Sequence, residues 1–194
     1  MTLEEQRCGW ALSSPDYIEY HDSEWGKPVR DDVALFERLS LESFQSGLSW
    51  ITVLRKRAAF RECFAGFDPT HVAEFSSSKV SELLQDARII RHRGKIEATI
   101  TNARAVMALW ERSGVGTLTD VLTEAAPTDA SLTAQGFNRP PAQIHEIPSQ
   151  CSETAQLAKR LKQAGFVFLG PTTLYAAFQA TGFVNDHILG CPQR

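Results

Sequence analysis

Helix punctuation constrains this chain more than any other feature of its sequence. Ser14-Pro15 and Asp68-Pro69 each place a capping side chain before a proline suited to the first helical position, and Pro171 opens a third such segment. Gly47, Gly165 and Gly182 each follow the end of an apolar run, where a helix must stop. Between these marks, apolar residues recur at spacings of three and four. Asp31 or Asp32 is predicted to cap a helix carrying Val33, Leu35, Phe36, Leu39, Leu41 and Phe44, ending near Ser46. Ser49 opens a run through Ile51, Val53, Leu54, Phe60 and Phe64, and Ser78 opens a shorter one through Leu84. The longest is predicted from about Gly94 to Arg112, on Ile96, Ile100, Ala103, Val106 and Leu109. Further helices are expected from Ser152 to Gly165 and from Pro171 to Gly182. Phe166-Val167-Phe168-Leu169 reads as a short extended piece or as core-filling coil. The fold class is all-α.

The chain's 194 residues match a single domain, and 43% hydrophobic with 22% charged residues excludes wholesale disorder. The stretch Ser113–Ser149 is rich in Gly and Pro and reads as an excursion or mobile loop with one helix near Thr117–Ala126. Met1-Thr2-Leu3-Glu4-Glu5-Gln6 lacks a basic-then-apolar pattern, so no leader is predicted and a cytoplasmic location is expected, with no membrane partner.

The net charge of −3 excludes polyanion binding by bulk charge, but its distribution is uneven. Residues 1–50 hold 4 Lys/Arg against 10 Asp/Glu, whereas residues 51–110 hold 10 against 6. Within the basic middle, Arg88-Ile89-Ile90-Arg91-His92-Arg93-Gly94-Lys95 joins two predicted helices. Free N–H groups at a helix start, flanked by Arg and Lys, suit a phosphate. The segment resembles a helix–hairpin–helix element, which grips the DNA backbone without reading sequence. A solvated cationic loop is the plainer alternative.

Cys8 precedes His21 by thirteen positions, and His187 precedes Cys191 by four. Each pair alone also reads as a buried thiol beside a surface imidazole. Together they supply two thiolates and two imidazoles, a donor set that favours zinc in a closed, structural site. Such a site requires the two chain ends to meet. Cys63 and Cys151 have no such partners and read as core or surface cysteines.

The first fifty residues hold Trp10, Tyr17, Tyr20, Trp25 and Trp50, with Glu42 embedded in an apolar helical run. Aromatic walls around one carboxylate suit a planar, electron-poor or cationic ring such as a flipped nucleobase. The same aromatics also serve as core in many proteins.

Longer strings then narrow the reading. Arg7-Cys8-Gly9-Trp10, the stretch Tyr17–Gly26, Gly47-Leu48-Ser49-Trp50-Ile51-Thr52-Val53-Leu54, Ile89–Ile96, Asn102-Ala103-Arg104-Ala105 and Val184-Asn185-Asp186-His187 resemble the signatures of the DNA-3-methyladenine glycosylase I family. The resemblance covers residues 7–112 and 146–191. It implies a helix–hairpin–helix glycosylase fold, with that lobe over about 40–112, metal-bearing segments over about 7–26 and 165–191, and a variable region over 113–145. It also implies structural zinc held by Cys8, His21, His187 and Cys191. Glu42, Tyr17 and Trp50 match residues that contact the excised base, and Trp10, Tyr20 and Trp25 match the pocket lining. Gly47, with Gln45 and Leu48 beside it, matches the turn facing the gap left by a flipped nucleotide. Arg91, Arg93, Gly94 and Lys95 match the hairpin that holds the backbone. Ser43 and Ser46 stand where Gly and Ala are usual, and Arg88 where Gly is common.

The implied partner is duplex DNA carrying alkylated bases, bound by a monomer. The implied reaction is hydrolytic release of 3-methyladenine without a lyase step. An ionised Glu42 is expected to accept a hydrogen bond from the adenine amino edge, with burial opposing its charge. Lys95 reads as a phosphate contact rather than as a Schiff-base amine. The alternatives are a non-catalytic DNA-binding module of the same fold and a binder of free purine-like ligands.

Overall fold

The computed structural model describes residues 7–194, so the leader reading on 1–6 lies outside the described residues. The described residues are helical, without a strand: α1 (Pro15–Ser23), α2 (Asp32–Gln45), α3 (Trp50–Leu54), α4 (Arg57–Cys63), α5 (Pro69–Val72), α6 (Ser77–Leu83), α7 (Arg93–Ser113), α8 (Thr117–Glu124), α9 (Asp129–Ala134), α10 (Ser152–Gln163) and α11 (Pro171–Ala180). Short 3-10 turns add Gly9–Ser13, Ala65–Phe67 and Ile144–Glu146. No helix among the described residues is long and apolar enough to cross a membrane.

The caps act largely where the sequence marks them. Ser14 Oγ accepts the N–H of Tyr17, Asp31 that of Ala34 and Asp68 that of Thr70. At α6 the cap is Ser76 rather than Ser78, because Ser76 is the extended residue and its hydroxyl reaches Lys79 N. The run expected from Ser49 to Phe64 is two helices, offset at Arg55-Lys56. The offset sets Phe60 against Phe44, with ring centroids 4.5 Å apart. Phe36, Phe44, Phe60, Phe64 and Phe67 fill the centre of the core.

Residues 113–145 are tied down rather than loose. Asp32 sits one residue beyond the α2 cap and serves a different helix. Its carboxylate accepts from Trp110 Nε1, Gly116 N, Leu118 N, and the N–H and hydroxyl of Thr119, at 2.5–3.2 Å. It thereby caps α8 from outside and pins that helix to the end of α7. Further on, the Arg139 side chain is buried and pairs with Asp186 and Asp129.

The two chain ends meet through close backbone packing. Gly26 and Gly182 both have positive φ (+78° and +64°). A Cβ on Gly182 would lie 2.6 Å from the Gly26 carbonyl oxygen, and one on Gly26 would lie 2.8 Å from His187 Nε2. Only glycine fits either position. Val29 N donates to Thr181 O, and Arg30 donates to the carbonyls of Thr181 and Gly182 while its guanidinium stacks on Phe183. Residues 166–169 are coil, with Phe166 and Leu169 buried and Val167 and Phe168 outside.

Candidate functional site

A pocket of about 460 Å³ opens where α1, α2, α3 and α11 converge, and Trp10, Tyr17, Tyr20, Trp25, Glu42 and Trp50 all line it. Six residues drawn from across the first fifty positions therefore share one cavity. The rings brace one another: Trp10 meets Tyr17 and Trp25 edge-on at 5.5 and 5.1 Å, and Tyr20 meets Trp50 at 5.4 Å. The Tyr17 hydroxyl accepts the N–H of Ile51 at 2.9 Å, capping the start of α3 and leaving its own proton available to donate. Trp50 Nε1 is buried with no hydrogen-bond partner among the described residues.

Glu42 is a buried acid in this wall. Burial pushes its carboxyl up to about 8, against the opposing charge of Arg38. Arg38 is itself drawn away, donating to Glu24, which also takes a two-pronged pair from Arg57. In the unliganded pocket burial therefore opposes the ionised form that is expected of Glu42 once a cationic base is bound.

Sequence reasoning missed Ile144, Ile147, Pro148 and Gln179 as lining residues. Ile144 lies in a short 3-10 turn and Ile147 and Pro148 in irregular chain, and none of the three carries distinguishing chemistry. Gln179 did carry a signal, as a polar residue on the apolar α11. Its amide donates to Asp186 at 2.8 Å, which turns its carbonyl oxygen away from that carboxylate. Gln45, read from the resemblance as a residue near the DNA gap, also lines the pocket.

Directly behind Trp10 and Trp25 lie Cys8, His21, His187 and Cys191, all buried, with their donor atoms within 4.8 Å of one another. His187 Nδ1 is 3.7 Å from Cys8 Sγ and 3.5 Å from Cys191 Sγ, and His21 Nε2 is 3.5 Å from Cys191 Sγ. A tetrahedral ion with metal–sulfur bonds of about 2.3 Å and metal–nitrogen bonds of about 2.0–2.1 Å separates such donors by about 3.4–3.8 Å. The residues fit zinc. Both imidazoles are also oriented from behind: His21 Nδ1 meets Asp22 at 2.8 Å, Asp22 is gripped by Arg7, and His187 bonds the Trp25 backbone. Burial, then the neighbouring His21, push His187 down to about 4, leaving the neutral imidazole that ligates metals. Burial pushes the Cys8 thiol up to about 12, so a thiolate here needs a cation beside it. The His187 ring stands 4.6 Å from Trp25 and the His21 ring 5.4 Å from Trp10, so cluster and pocket share a wall. Cys63 and Cys151 are buried elsewhere, and the Cys63 thiol donates to Asp86.

The hairpin lies at the start of α7, capped by the His92 ring, which accepts Lys95 N. Arg91 and Arg93 are exposed, with Arg93 in a surface pair with Glu97. Lys95 is a correction. Its side chain is 7% exposed and its ammonium donates to the carbonyls of Phe44 and Ser46 at 3.0 and 2.6 Å. It satisfies the C-terminal carbonyls of α2, so this ammonium is no phosphate contact. Arg88 pairs with Asp86 and Glu62, which gives this departure from the family pattern a structural role. Gly47 and Leu48 form the turn after α2, with Leu48 43% exposed.

An all-helical fold that sets a base-sized aromatic pocket near a basic hairpin is the architecture of enzymes that excise bases from DNA. Comparison narrows the class. A family model described as methyladenine glycosylase matches residues 10–194. The chain is 46% identical over 186 residues to DNA-3-methyladenine glycosylase 1 of Escherichia coli (strain K12), covering 96% of this chain and 95% of that one. A crystal structure of 3-methyladenine DNA glycosylase I superposes with a TM-score of 0.87 at 44% identity, covering 96% of this chain and 98% of that one. A variant of such an enzyme in complex with 3-methyladenine superposes at 0.85 and 31% identity, covering 97% of each. The chain belongs to the DNA-3-methyladenine glycosylase I family of enzymes.

Proposed function

We propose that this protein flips alkylated bases out of duplex DNA and releases 3-methyladenine by hydrolysis, as a monomer and without a lyase step. The observation that carries the reading is the pocket itself, a base-sized cavity with aromatic walls and one buried carboxyl group. N3-methylation leaves adenine positively charged and weakens its glycosidic bond. The base also stacks and pairs less well, so extruding it costs less. Trp10, Tyr17, Tyr20, Trp25 and Trp50 supply faces on which a cationic ring is held.

Glu42 then acts as a charge filter. In the empty pocket its proton is retained by burial. A cationic base beside it restores the favourable partner that Arg38 does not fully provide, so the carboxyl releases its proton to solvent water and, as a carboxylate, accepts from the exocyclic amino group. A neutral purine offers no such compensation. The Tyr17 hydroxyl accepts from Ile51 N and keeps its own proton free, which supports a role for it as a donor to a ring nitrogen. The only amine in the hairpin that enters the core, Lys95, is bound to α2 carbonyls, which favours water over a Schiff base as nucleophile.

In this reading the chain is one domain, with the hairpin lobe over about 40–112 joined to terminal segments over about 7–26 and 165–191. Zinc held by Cys8, His21, His187 and Cys191 would tie the ends together and hold Trp10 and Trp25 in the pocket wall. The Arg139–Asp186 pair makes the variable region 113–145 a brace for the same end.

Incubation with N-methylated duplex, followed by chromatography of freed bases and electrophoresis of the strands, tests the reaction. Free 3-methyladenine with strands intact until alkali treatment is expected. A folded protein that binds duplex and frees no base would instead support the non-catalytic module.

A further inference from the structure

The hairpin read from sequence holds fewer available cations than its composition suggests. Arg88 and Lys95 are engaged within the protein, leaving Arg91 and Arg93 at the surface. Two phosphate contacts give a salt slope of only about 1.8, a slight electrostatic grip on duplex. The adjoining surface supplies them.

Beside the hairpin lies a cleft of about 480 Å³ along α10 and the coil leading into α11. Val167, Phe168, Gly170 and Pro171 form part of its wall, and Lys159 and Lys162 project from α10 along it. Phe168 is 51% exposed, and its φ is +58°. A bulky residue in the left-handed region is strained, and such strain persists only where the surroundings impose it. Here they do. The Asn102 amide clamps Val167, donating to its carbonyl at 3.0 Å and accepting its N–H at 2.8 Å. The Ser43 hydroxyl lies 3.0 Å from the Leu39 carbonyl and 3.2 Å from the Phe168 carbonyl, its single proton shared between them. Phe166 and Leu169 already anchor the segment in the core, so burial does not explain why Phe168 is held outward.

The ring stands next to the hairpin, since a Cβ on Gly94 would lie 3.7 Å from Phe168 Cζ. Hairpin, Phe168 and the α10 lysines therefore form one continuous strip, cationic at both ends with an aromatic ring between.

We infer that the duplex-binding surface extends from the hairpin across Phe168 to Lys159 and Lys162, with a DNA sugar–phosphate backbone lying in this cleft. The inference rests on the glycosylase reading and assigns it three contact residues outside the pocket and the hairpin. Charge complementarity and continuity with the hairpin select DNA as the occupant. The lysines take phosphates, and the ring packs against sugar or an exposed base edge, as apolar side chains do at distorted steps.

The test is fluorescence anisotropy of a labelled duplex bearing an uncleavable abasic analogue, titrated at several KCl concentrations. Replacing both lysines (Lys159→Ala with Lys162→Ala) should reduce the slope of log affinity against log salt by about 1.8, since each lost phosphate contact removes about 0.9. Phe168→Gly should weaken duplex binding about tenfold. Glycine accepts this φ without strain, so the thermal midpoint should stay level or rise. With DNA in excess over limiting protein and below saturation, both variants should free 3-methyladenine more slowly, in step with their lost affinity for duplex. An unchanged salt slope in the lysine variant, or unchanged affinity in Phe168→Gly, overturns the inference while wild-type base release leaves the glycosylase reading standing. Wild-type protein that neither binds duplex nor frees base overturns both. Sedimentation showing self-association that Phe168→Gly abolishes, with duplex affinity intact, assigns the cleft to a second copy and likewise overturns it.

Discussion

The pocket end and the hairpin are built in opposite ways. The pocket and the cysteine–histidine cluster behind it draw on residues as far apart as Cys8 and Cys191, and the fold brings the six aromatic and acidic residues into one cavity and the four thiols and imidazoles into one cluster. The hairpin is contiguous, and half of its Lys and Arg side chains turn out to serve the fold. Thiols, imidazoles and clustered tryptophans have few structural uses in common, so their coincidence identifies a site. Lysine and arginine are versatile: the same ammonium that meets a phosphate also satisfies the open carbonyls at a helix end. A run of charge in sequence therefore sets an upper bound on the contacts it offers.

Three experiments sharpen this contrast. The largest effect is expected at the join of the chain ends. Stripping metal with a strong chelator, or introducing Cys191→Ser, should lower the thermal midpoint by about 10 °C or more, because binding of a structural ion is folding free energy. Calorimetry beside metal analysis checks it, and a midpoint indifferent to metal would leave the ends held by Gly26, Gly182 and Arg30 packing alone.

An intermediate effect is expected at Glu42. Its folded-state carboxyl titrates near 8, above the ordinary carboxylate value of 4.5. The folded state thus holds a proton that the unfolded chain releases between those limits. Wild-type stability from this group is complete below about pH 4.5 and is lost as pH rises toward 8. Glu42→Gln keeps the neutral shape throughout. It should match wild type at pH 4.5 and exceed it at pH 8 by on the order of a few kcal/mol in urea denaturation. Equal stability at both pH values would place a charged Glu42 in the empty pocket.

The smallest effect separates hairpin cations by role. Arg91→Ala should reduce the salt slope of duplex binding by about 0.9 and leave stability unchanged. Lys95→Met should do the reverse, keeping the slope and lowering stability by about 1–3 kcal/mol as the Phe44 and Ser46 carbonyls lose their donor. Equal slope losses in both would return Lys95 to the DNA contacts.

Much of the fold was legible because its signals are local. Ser14, Asp31, Asp68 and Pro171 mark helix starts through side-chain geometry that needs no partner from elsewhere. What escaped was set by distant partners. Asp32 looked like a rival cap for α2, and only the approach of Thr117–Glu124 makes it the cap of α8. The stretch 113–145 looked loose because α9 buries a single leucine, Leu132, and because the ion pair holding Arg139 lies 47 positions away. Ser49 to Phe64 reads as one helix by periodicity, while core packing of Phe60 against Phe44 accompanies a break at Arg55-Lys56. In the pocket, Glu42 was visible as a lone acid among apolar residues. The upward push on its carboxyl was not, since that comes from burial that only the tertiary packing creates.

Single-turnover release of 3-methyladenine from methylated duplex, measured for wild type, Glu42→Gln and Trp50→Ala with duplex affinity in parallel, tests the central claim most directly. Both substitutions should slow release about 100-fold or more, while the dissociation constant for duplex stays within about threefold. Wild-type release rates in both variants would contradict the assignment of this pocket as the place where the base is held and freed.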